Sequence, residues 1–392
     1  MRGSYFDHNA TTPLDPEVRE AMLPWLGGEN GGHGCFGNPS SVHRFGQAAR
    51  EAVEAAREEV ARLLDCRTPE EIVFLASGTE GNNAVVASHL AEAAPGDRIV
   101  ASAVEHPSVA AAARAGGPRA GVEIVLVPPE ADGVVSVARM VDAARPGTRL
   151  AALMLANNEL GTLQPVAELA SVLCGQGVPV LCDAVQAVGK IPVSVQTLGV
   201  DYLTLAAHKF HGPLGAAALW IRGGAAFSPL LVGGAQERRR RASTVNVPAV
   251  VGFGAACAVA RRDLAERGRR LAGLRDRFEA GLARIPGALV HCASAPRLPH
   301  TSHVAFPGLV GQELMIRLDL AGFAVSTGAA CGSGTVQASP TLTAMGMDYD
   351  EAIASLRVSF GVPNTVAEVD ALLPALAEAV AVLREPVTRG PR

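Results

Sequence analysis

Lysine is almost absent from this chain, because Lys190 and Lys209 are its only two lysines among 392 residues. A lysine amine can lose its proton and form a Schiff base with an aldehyde, whereas the guanidinium of arginine stays charged. Lys209 follows the apolar run at residues 202–207, so we expect it at the end of a buried strand, where α/β folds place their chemistry. The alternative is a surface lysine after a strand. Lys190, in a turn-like setting, is expected to be solvated.

Disulfide, zinc and membrane-spanning patterns are missing as well. The seven cysteines include no Cys-x-x-Cys pair, which favours reduced thiols in the cytoplasm over a disulfide framework or a metal site. The longest apolar run, residues 247–260, is too short and too rich in glycine to span a bilayer, and a packed helix is expected there. The N-terminus lacks the apolar stretch of a secretory signal. The net charge of −4 gives no general attraction to nucleic acids or anionic membranes.

What is present is the composition of a large globular protein, with 48% hydrophobic and 18% charged residues. The length allows two domains and a large core. Apolar strand patterns alternate with helical patterns, which predicts an α/β fold with a mostly parallel sheet. Strands are predicted at residues 72–76, 98–102, 150–155, 178–181 and 202–207, and amphipathic helices at residues 46–64 and 255–283.

Polar residues recur where these strands end, and ligands bind at the carboxyl edge of parallel sheets. The glycine turn at residues 77–83 opens a helix whose free N–H groups suit a phosphate. Asp183 needs a cationic partner, such as a protonated pyridine nitrogen, and His106 could lie flat on an aromatic ligand. An N-cap role for Asp183 and a backbone-bonded loop position for His106 are the alternatives. With a Schiff-base lysine, these features match pyridoxal 5′-phosphate; the strand-end residues are Gly78, Thr79, His106, Asn158, Asp183, Gln186 and Lys209.

The second half of the chain adds a thiol and several arginines. Cys331 lies in a segment rich in Gly and Ser, which we expect to move and to carry the thiol towards a bound substrate, although an inert loop thiol is the alternative. Arg357 follows a strand-like segment and can grip a carboxylate with its two-pronged fork. The arginine run at residues 238–241 indicates either contact with an anionic ligand or a subunit, or a solvated surface.

These motifs together resemble those of the cysteine desulfurases, class V members of the fold type I pyridoxal phosphate enzymes, over essentially the whole chain. The long cysteine segment resembles the group of housekeeping and nitrogen-fixation desulfurases. The resemblance implies a large domain with a mostly parallel seven-stranded sheet and a smaller α/β C-terminal domain. Its motifs are residues 7–13, 37–41, 77–80, 105–106, 157–161, 183–186, 208–209, 328–331 and 357–361. The expected organisation is an arm at 1–15, the large domain at 16–253, the small domain at 254–385 and a tail at 386–392.

The resemblance also implies a role for each residue. Lys209 would hold the cofactor covalently and later move protons, His106 would stack on its ring, and Asp183 would keep the ring nitrogen protonated. Cys331, as a thiolate, would attack the substrate sulfur, leaving alanine and a persulfide that a protein acceptor then takes. The remaining residues would bind the ring oxygen (Asn158, Gln186), the phosphate (Gly78, Thr79, His208 and, across a homodimer interface, Thr244) and the substrate carboxylate (Arg357 with Asn38).

Some positions depart from the family pattern. Ala206 stands where a serine usually touches the phosphate, so one hydrogen bond to the phosphate is expected to be missing. Arg239 and Ser243 replace glycines in the loop at residues 233–246, whose geometry is therefore expected to differ. His300 and His303 lie where asparagines are common.

The sequence thus predicts a cytoplasmic, homodimeric, pyridoxal phosphate-dependent cysteine desulfurase acting on L-cysteine, with no metal, membrane or direct nucleic-acid partner. Its sulfur would serve iron–sulfur cluster assembly or a thiolation reaction. A related enzyme, such as an aminotransferase or a selenocysteine lyase, is one alternative, and Cys331 argues against an aminotransferase. A degenerate paralogue acting as a binding partner is another, and the intact set of Lys209, Asp183, Cys331 and Arg357 argues against it.

Overall fold

A seven-stranded sheet forms the centre of the protein. The structure is a computed structural model that describes residues 3–27, 34–328 and 337–385. The strand order is β2-β8-β7-β6-β5-β3-β4, and every neighbouring pair is parallel except the two that involve β8. These strands are β2 (Ile72–Leu75), β3 (Arg98–Ser102), β4 (Glu123–Val127), β5 (Thr148–Ala152), β6 (Val180–Asp183), β7 (Tyr202–Ala206) and β8 (Ala217–Ile221).

Both faces of this sheet are covered, as the near-continuous apolar strands require. In β7, Leu203 and Leu205 belong to one hydrophobic cluster, whereas Tyr202 and Ala206 belong to another. Because successive side chains of a strand point to opposite faces, the two clusters lie on opposite sides of the sheet. The sheet is therefore the middle layer of a three-layer α/β fold.

Helices connect and cover the strands. The longest, α8, runs over 36 residues and packs against α2 with its buried side chains, such as Phe253 and Cys257. The helices are α1 (Pro16–Met22), α2 (Arg44–Leu63), α3 (Gly78–Ala91), α4 (Pro107–Gly116), α5 (Val137–Ala143), α6 (Val166–Cys174), α7 (Val195–Leu198), α8 (Val247–Leu282), α9 (Gly311–Leu320), α10 (Pro340–Ala344), α11 (Tyr349–Ile353) and α12 (Val366–Arg384).

A second, antiparallel sheet packs on a separate core. Its order is β12-β10-β9, with β9 at Leu289–Val290, β10 at Thr301–Ala305 and β12 at Ser355–Ser359. Phe6, Phe278 and Phe360 pack edge to face within this core, so the N-terminal arm is part of it. The arm also pairs through β1 (Ser4–Tyr5) with β11 (Phe323–Ala324) in parallel. This pairing places the N-terminal arm beside a strand of the second half of the chain.

The predicted fold class is confirmed, because the central sheet has seven mostly parallel strands and is covered on both faces. The strand predicted at 150–155 begins two residues earlier and ends three residues earlier, at Thr148–Ala152, and the strand predicted at 178–181 lies two residues later, at Val180–Asp183. The apolar run at 247–260 and the helix predicted at 255–283 are one continuous helix, since the apolar stripe of the first part continues into the amphipathic second part. The domain boundaries stay a prediction. The tail at 386–392 lies outside the described residues.

The prediction for Lys190 is wrong. Its side chain is buried, with only 8% of the residue exposed, and its Nζ donates to Oε1 of Gln186 at 2.9 Å. The turn that carries it does not face solvent, because the N-terminal arm, the helix α8 and residues 360–362 surround the small cavity beside it. Among the described residues, no helix is both long and apolar enough to cross a membrane.

Candidate active site

A cavity of 210 Å³ opens at the carboxyl edge of the central sheet. Its walls come from the ends of β2, β3, β5, β6 and β7, all of which run in the same direction, so their terminal residues converge. The lining residues are Ser77, Gly78, Thr79, Asn82, His106, Ser108, Met154, Asn158, Asp183, Val185, Gln186, Ala206, His208 and Lys209.

One end of the cavity is the N-terminus of α3. Ser77 caps this helix, because its side chain accepts a hydrogen bond from the Glu80 N–H. Gly78 packs against Val185 so closely that a β-carbon there would lie 2.8 Å from Val185 Cγ2. The first-turn N–H groups of a helix have no partner within the helix, and they carry the positive end of its dipole. This end of the cavity therefore suits a phosphate, and Ala206 contributes only a methyl group to it.

Asp183 lies on the cavity wall as a carboxylate held by two donors. Its Oδ2 accepts a hydrogen bond from Asn82 Nδ2 at 2.7 Å, and its Oδ1 accepts one from the Val185 N–H at 3.0 Å. Asn82 is in turn fixed by Thr204, whose hydroxyl donates to Asn82 Oδ1 at 2.8 Å. The carboxylate is thus oriented before any ligand binds, and it can hold a proton on a ring nitrogen.

His106 follows β3 and begins α4 at the cavity wall. Its Nδ1 accepts from the Ser108 N–H at 3.1 Å and lies 2.7 Å from the Ser108 hydroxyl. Burial lowers the pKa of His106, although the charge of Asp183 opposes this shift. A neutral imidazole whose Nδ1 is already engaged presents its ring face and Nε2 to a ligand.

Lys209 reaches the opposite wall of the cavity. Its Nζ donates to the carbonyl oxygens of Asn9 at 2.6 Å and Ala10 at 2.8 Å, both on the N-terminal arm. Burial and the positive charge of Arg357 lower the pKa of Lys209 to about 8, although the carboxylates of Asp183 and Asp7 oppose the shift. A substantial fraction of the amine is therefore unprotonated near neutral pH and able to attack an aldehyde.

Arg357 lies beside this lysine, at the end of the chain's second sheet. Its guanidinium donates to Asp7 Oδ1 at 2.6 Å and to the Asn158 carbonyl oxygen at 2.9 Å. Only 5% of the residue is exposed, and among the described residues its Nε has no hydrogen-bond partner. Arg357 is not one of the residues that line the cavity, but it contacts the carbonyl oxygen of Asn158, which is.

The comparisons with known proteins agree with this geometry. The aminotransferase class-V family matches residues 4–372. A cysteine desulfurase of Gluconacetobacter diazotrophicus is 41% identical over 386 residues, which cover 98% of this chain and 95% of that protein. This chain belongs to the aminotransferase class-V family.

Two solved structures show how far the similarity of fold extends. A NifS-like protein superposes with a TM-score of 0.88 at 34% identity, covering 98% of this chain and all of the other. SspA, solved in complex with cysteine, superposes with a TM-score of 0.78 at 29% identity, covering 91% of this chain and 98% of the other. The similarity thus includes both sheets of the class-V fold.

Pyridoxal phosphate is the cofactor of this class-V protein, as the sequence predicted. The cavity fits it on three counts. First, Gly78 has no side chain between its backbone and Val185, so the backbone at the start of α3 is accessible to the phosphate. Second, Asp183 is a carboxylate held in place for the ring nitrogen. Third, Lys209 is an amine with a lowered pKa. His208 also lines the cavity, and burial lowers its pKa to about 4, so it meets a phosphate as a neutral imidazole.

The cavity gathers most, but not all, of the predicted site residues. Asn38 is exposed, and its side chain accepts a hydrogen bond from the Ser40 N–H in its own turn. Thr244 is exposed too, and the cavity lining includes neither of these two residues nor the buried Arg357. Cys331 lies outside the described residues. In the described ranges, no group of three or more His, Cys, Asp or Glu side chains could hold a metal ion.

The loop at residues 233–246 carries unusual backbone angles where the class-V pattern has glycine. Arg239 has φ 65° and Ser243 has φ 105°, both in the region that favours glycine. Glu237 anchors the loop, since its carboxylate accepts from both Nη atoms of the buried Arg57 and from the Phe74 N–H. The contacts of Glu237 hold the loop in place, and its backbone is left-handed at Arg239 and Ser243, where the family pattern has glycine.

Sequence reasoning missed several residues that build the site. Asn82 and Ser108 link Asp183 to His106, because Asn82 Nδ2 donates to Ser108 Oγ at 2.9 Å and to Asp183. Asn9 was identified only as part of an N-terminal motif, yet its carbonyl oxygen accepts from Lys209. The sequence signal for Asn82 was a polar residue one helical turn into α3. Because helical side chains tilt towards the N-terminus of their helix, the Asn82 side chain points back towards the strand ends.

Proposed function

We propose that this protein is a cysteine desulfurase, which removes the sulfur of L-cysteine, leaves L-alanine and passes the sulfur to a protein acceptor. The observation that carries the proposal is the placement of Lys209, an amine with a lowered pKa, in one cavity with the anchored carboxylate of Asp183. The similarity to a cysteine desulfurase over 98% of the chain supports the choice of reaction within the family.

Different residues of the chain have different roles around the cofactor. Pyridoxal phosphate, when bound, supplies an electron sink for the bonds at the substrate's α-carbon. Lys209 holds the cofactor covalently and moves protons at its Nζ, and Asp183 holds the proton on the ring nitrogen. His106 covers the ring, and Arg357 binds the substrate carboxylate through its fork, with Asn38 as a second contact from the neighbouring loop.

Cys331 is assigned the sulfur transfer. Its thiolate forms a new S–S bond to the substrate sulfur, while the bond between that sulfur and the β-carbon breaks. The electron pair of the broken bond stays with the carbon, which takes up protons to become alanine. The persulfide on Cys331 then delivers its outer sulfur to an acceptor, which serves iron–sulfur cluster assembly or a thiolation reaction.

The protein acts as a homodimer in this proposal. Thr244 reaches the phosphate held by Gly78 and Thr79 of the other subunit, which accounts for its exposure in one chain. Large apolar side chains are exposed in several parts of the described chain, and an isolated monomer would leave them in water. They include Val42, Leu214, Leu231 and Val232. The proposed location is the cytoplasm.

The test is alanine release from L-cysteine, measured with and without a reductant. The native protein is expected to release alanine and to form a persulfide, and Lys209→Ala is expected to do neither. Cys331→Ala is expected to lose persulfide formation, whereas the control Cys174→Ala, an exposed thiol at the end of α6, is expected to keep both activities. Undiminished alanine release by Cys331→Ala would point to a lyase instead.

A further inference from the structure

Both lysines of this chain lie at the same site, although only Lys209 has a role in the proposed reaction. Lys190 follows β6 in a buried turn, and its Nζ donates to Gln186 Oε1 at 2.9 Å. Gln186 lines the cofactor cavity, so Lys190 stands directly behind a cavity wall. In the part of the chain that the structure describes, the Lys190 amine has this amide oxygen as its hydrogen-bond partner, and no carboxylate forms an ion pair with it.

The side-chain amide of Gln186 is held from two sides. Its Oε1 accepts from Lys190, and its Nε2 donates to the Asn9 carbonyl oxygen at 2.9 Å. The same carbonyl oxygen accepts from Lys209 Nζ at 2.6 Å, so both of its lone pairs are used. A flipped amide would set two acceptor oxygens against each other at Asn9, because the Asn9 carbonyl cannot donate. The amide therefore has one orientation, and among the described residues its second N–H has no partner.

We infer that Lys190 is a positioning residue, which fixes the Gln186 amide so that its free N–H meets the ring oxygen of the cofactor. The inference rests on the ring-oxygen contact of Gln186 in the proposed function. Lys190 itself does not line the cavity that holds the cofactor, and it acts through Gln186 alone.

The surroundings of Lys190 explain why this position carries lysine in a chain that otherwise uses arginine. It shares a small internal cavity with His8, His211, His300 and Lys209, and Arg267 completes the basic side of that cavity. Burial lowers the pKa of Lys190 well below its usual range, and the charges of Lys209 and Arg357 lower it further. An amine can donate a hydrogen bond without a charge, whereas a guanidinium would bring a permanent positive charge next to Lys209 and Arg357.

The test measures the Kd of the apoenzyme for pyridoxal phosphate by spectroscopic titration at one fixed pH of about 7.5. Lys190→Met removes the donor at similar length, and Gln186→Leu removes the amide. Each is expected to raise the Kd about 3- to 10-fold, the range of one hydrogen bond. The double variant is expected to match Gln186→Leu alone, because Lys190 has nothing left to orient.

A further variant of Lys190 distinguishes the proposed role from a purely structural effect. Lys190→Gln keeps an N–H donor on a shorter side chain, so it is expected to lose less affinity than Lys190→Met. Losses that add up in the double variant, equal losses in Lys190→Gln and Lys190→Met, or an unchanged Kd in Gln186→Leu would each overturn the inference. Since the measurement needs no substrate, failure of the desulfurase reaction leaves its outcome unaffected.

Discussion

Asp7 and Arg357 form an ion pair at 2.6 Å that joins the N-terminal arm to the last strand of the second sheet. The pair lies next to Lys209, whose pKa both side chains influence in opposite directions. Asp7 therefore occupies one part of the guanidinium that the proposed substrate carboxylate also needs. The arm is thus a wall of the substrate site as well as a structural segment.

Arg357→Lys is expected to raise the KM for L-cysteine about 10- to 100-fold, with a smaller effect on kcat. A lysine keeps the charge but not the fork, and a hydrogen bond to a charged group contributes about 1.5–3 kcal/mol. Steady-state alanine release measures both constants. The control Arg277→Lys changes an exposed pair with Asp370 and is expected to leave KM unaltered. A KM that stays the same in Arg357→Lys would assign the substrate carboxylate to another group.

Formation of the covalent cofactor link in the apoenzyme is expected to accelerate as pH rises through about 8, the pKa of Lys209. The pKa is lowered in the folded protein, so the reactive neutral amine appears above this value and is lost as pH falls below it. Arg357→Gln removes a charge that lowers this pKa, and its midpoint is expected to move to higher pH. Asp183→Asn is expected to move the midpoint the other way. The rate of appearance of the visible absorption band measures each midpoint, and identical midpoints would contradict the assignment to Lys209.

Ser243→Gly and Arg239→Gly are expected to stabilise the protein by about 0.5–1 kcal/mol each. Both residues have positive φ, where a side chain costs roughly 1–2 kcal/mol, and part of the gain is offset by the greater freedom of glycine in the unfolded chain. Thermal unfolding of the apoenzyme measures the change in Tm. The control Arg269→Gly lies in the helix α8 and is expected to destabilise by about 1 kcal/mol. A loss of stability in all three variants would show that the loop backbone is not strained.

Most of the sheet was predictable, because each central strand is an apolar run bounded by glycine, proline or polar residues. The strand at Arg98–Ser102 was predicted with its observed bounds, and the bounds of β5 and β6 differ from the prediction by two or three residues. The strands β4 and β8 were not predicted. Positions of polar residues at the strand ends were predictable for the same reason, since a buried strand must end before a charged side chain can leave the core.

The loop at residues 233–246 shows a limit of this reasoning. Arg239 and Ser243 replace glycines of the family pattern, and the sequence gives no conformation for the loop that carries them. Both residues have positive φ, in the region that favours glycine. The buried pair of Glu237 with Arg57 holds the loop from outside, and the sequence contains no local signal for a contact between residues so far apart.

The sequence by itself determined five of the seven central strands, the placement of Lys209 after an apolar strand and the polar residues at the strand ends, because these depend on local hydrophobic patterns. Only the tertiary structure decided that Lys190 is buried, that Asp7 pairs with Arg357 and that Asn9 accepts from both Gln186 and Lys209. Each of these contacts joins the N-terminal arm or a buried turn to distant parts of the chain. The environment of such a side chain is set by what packs against it, which no local pattern contains.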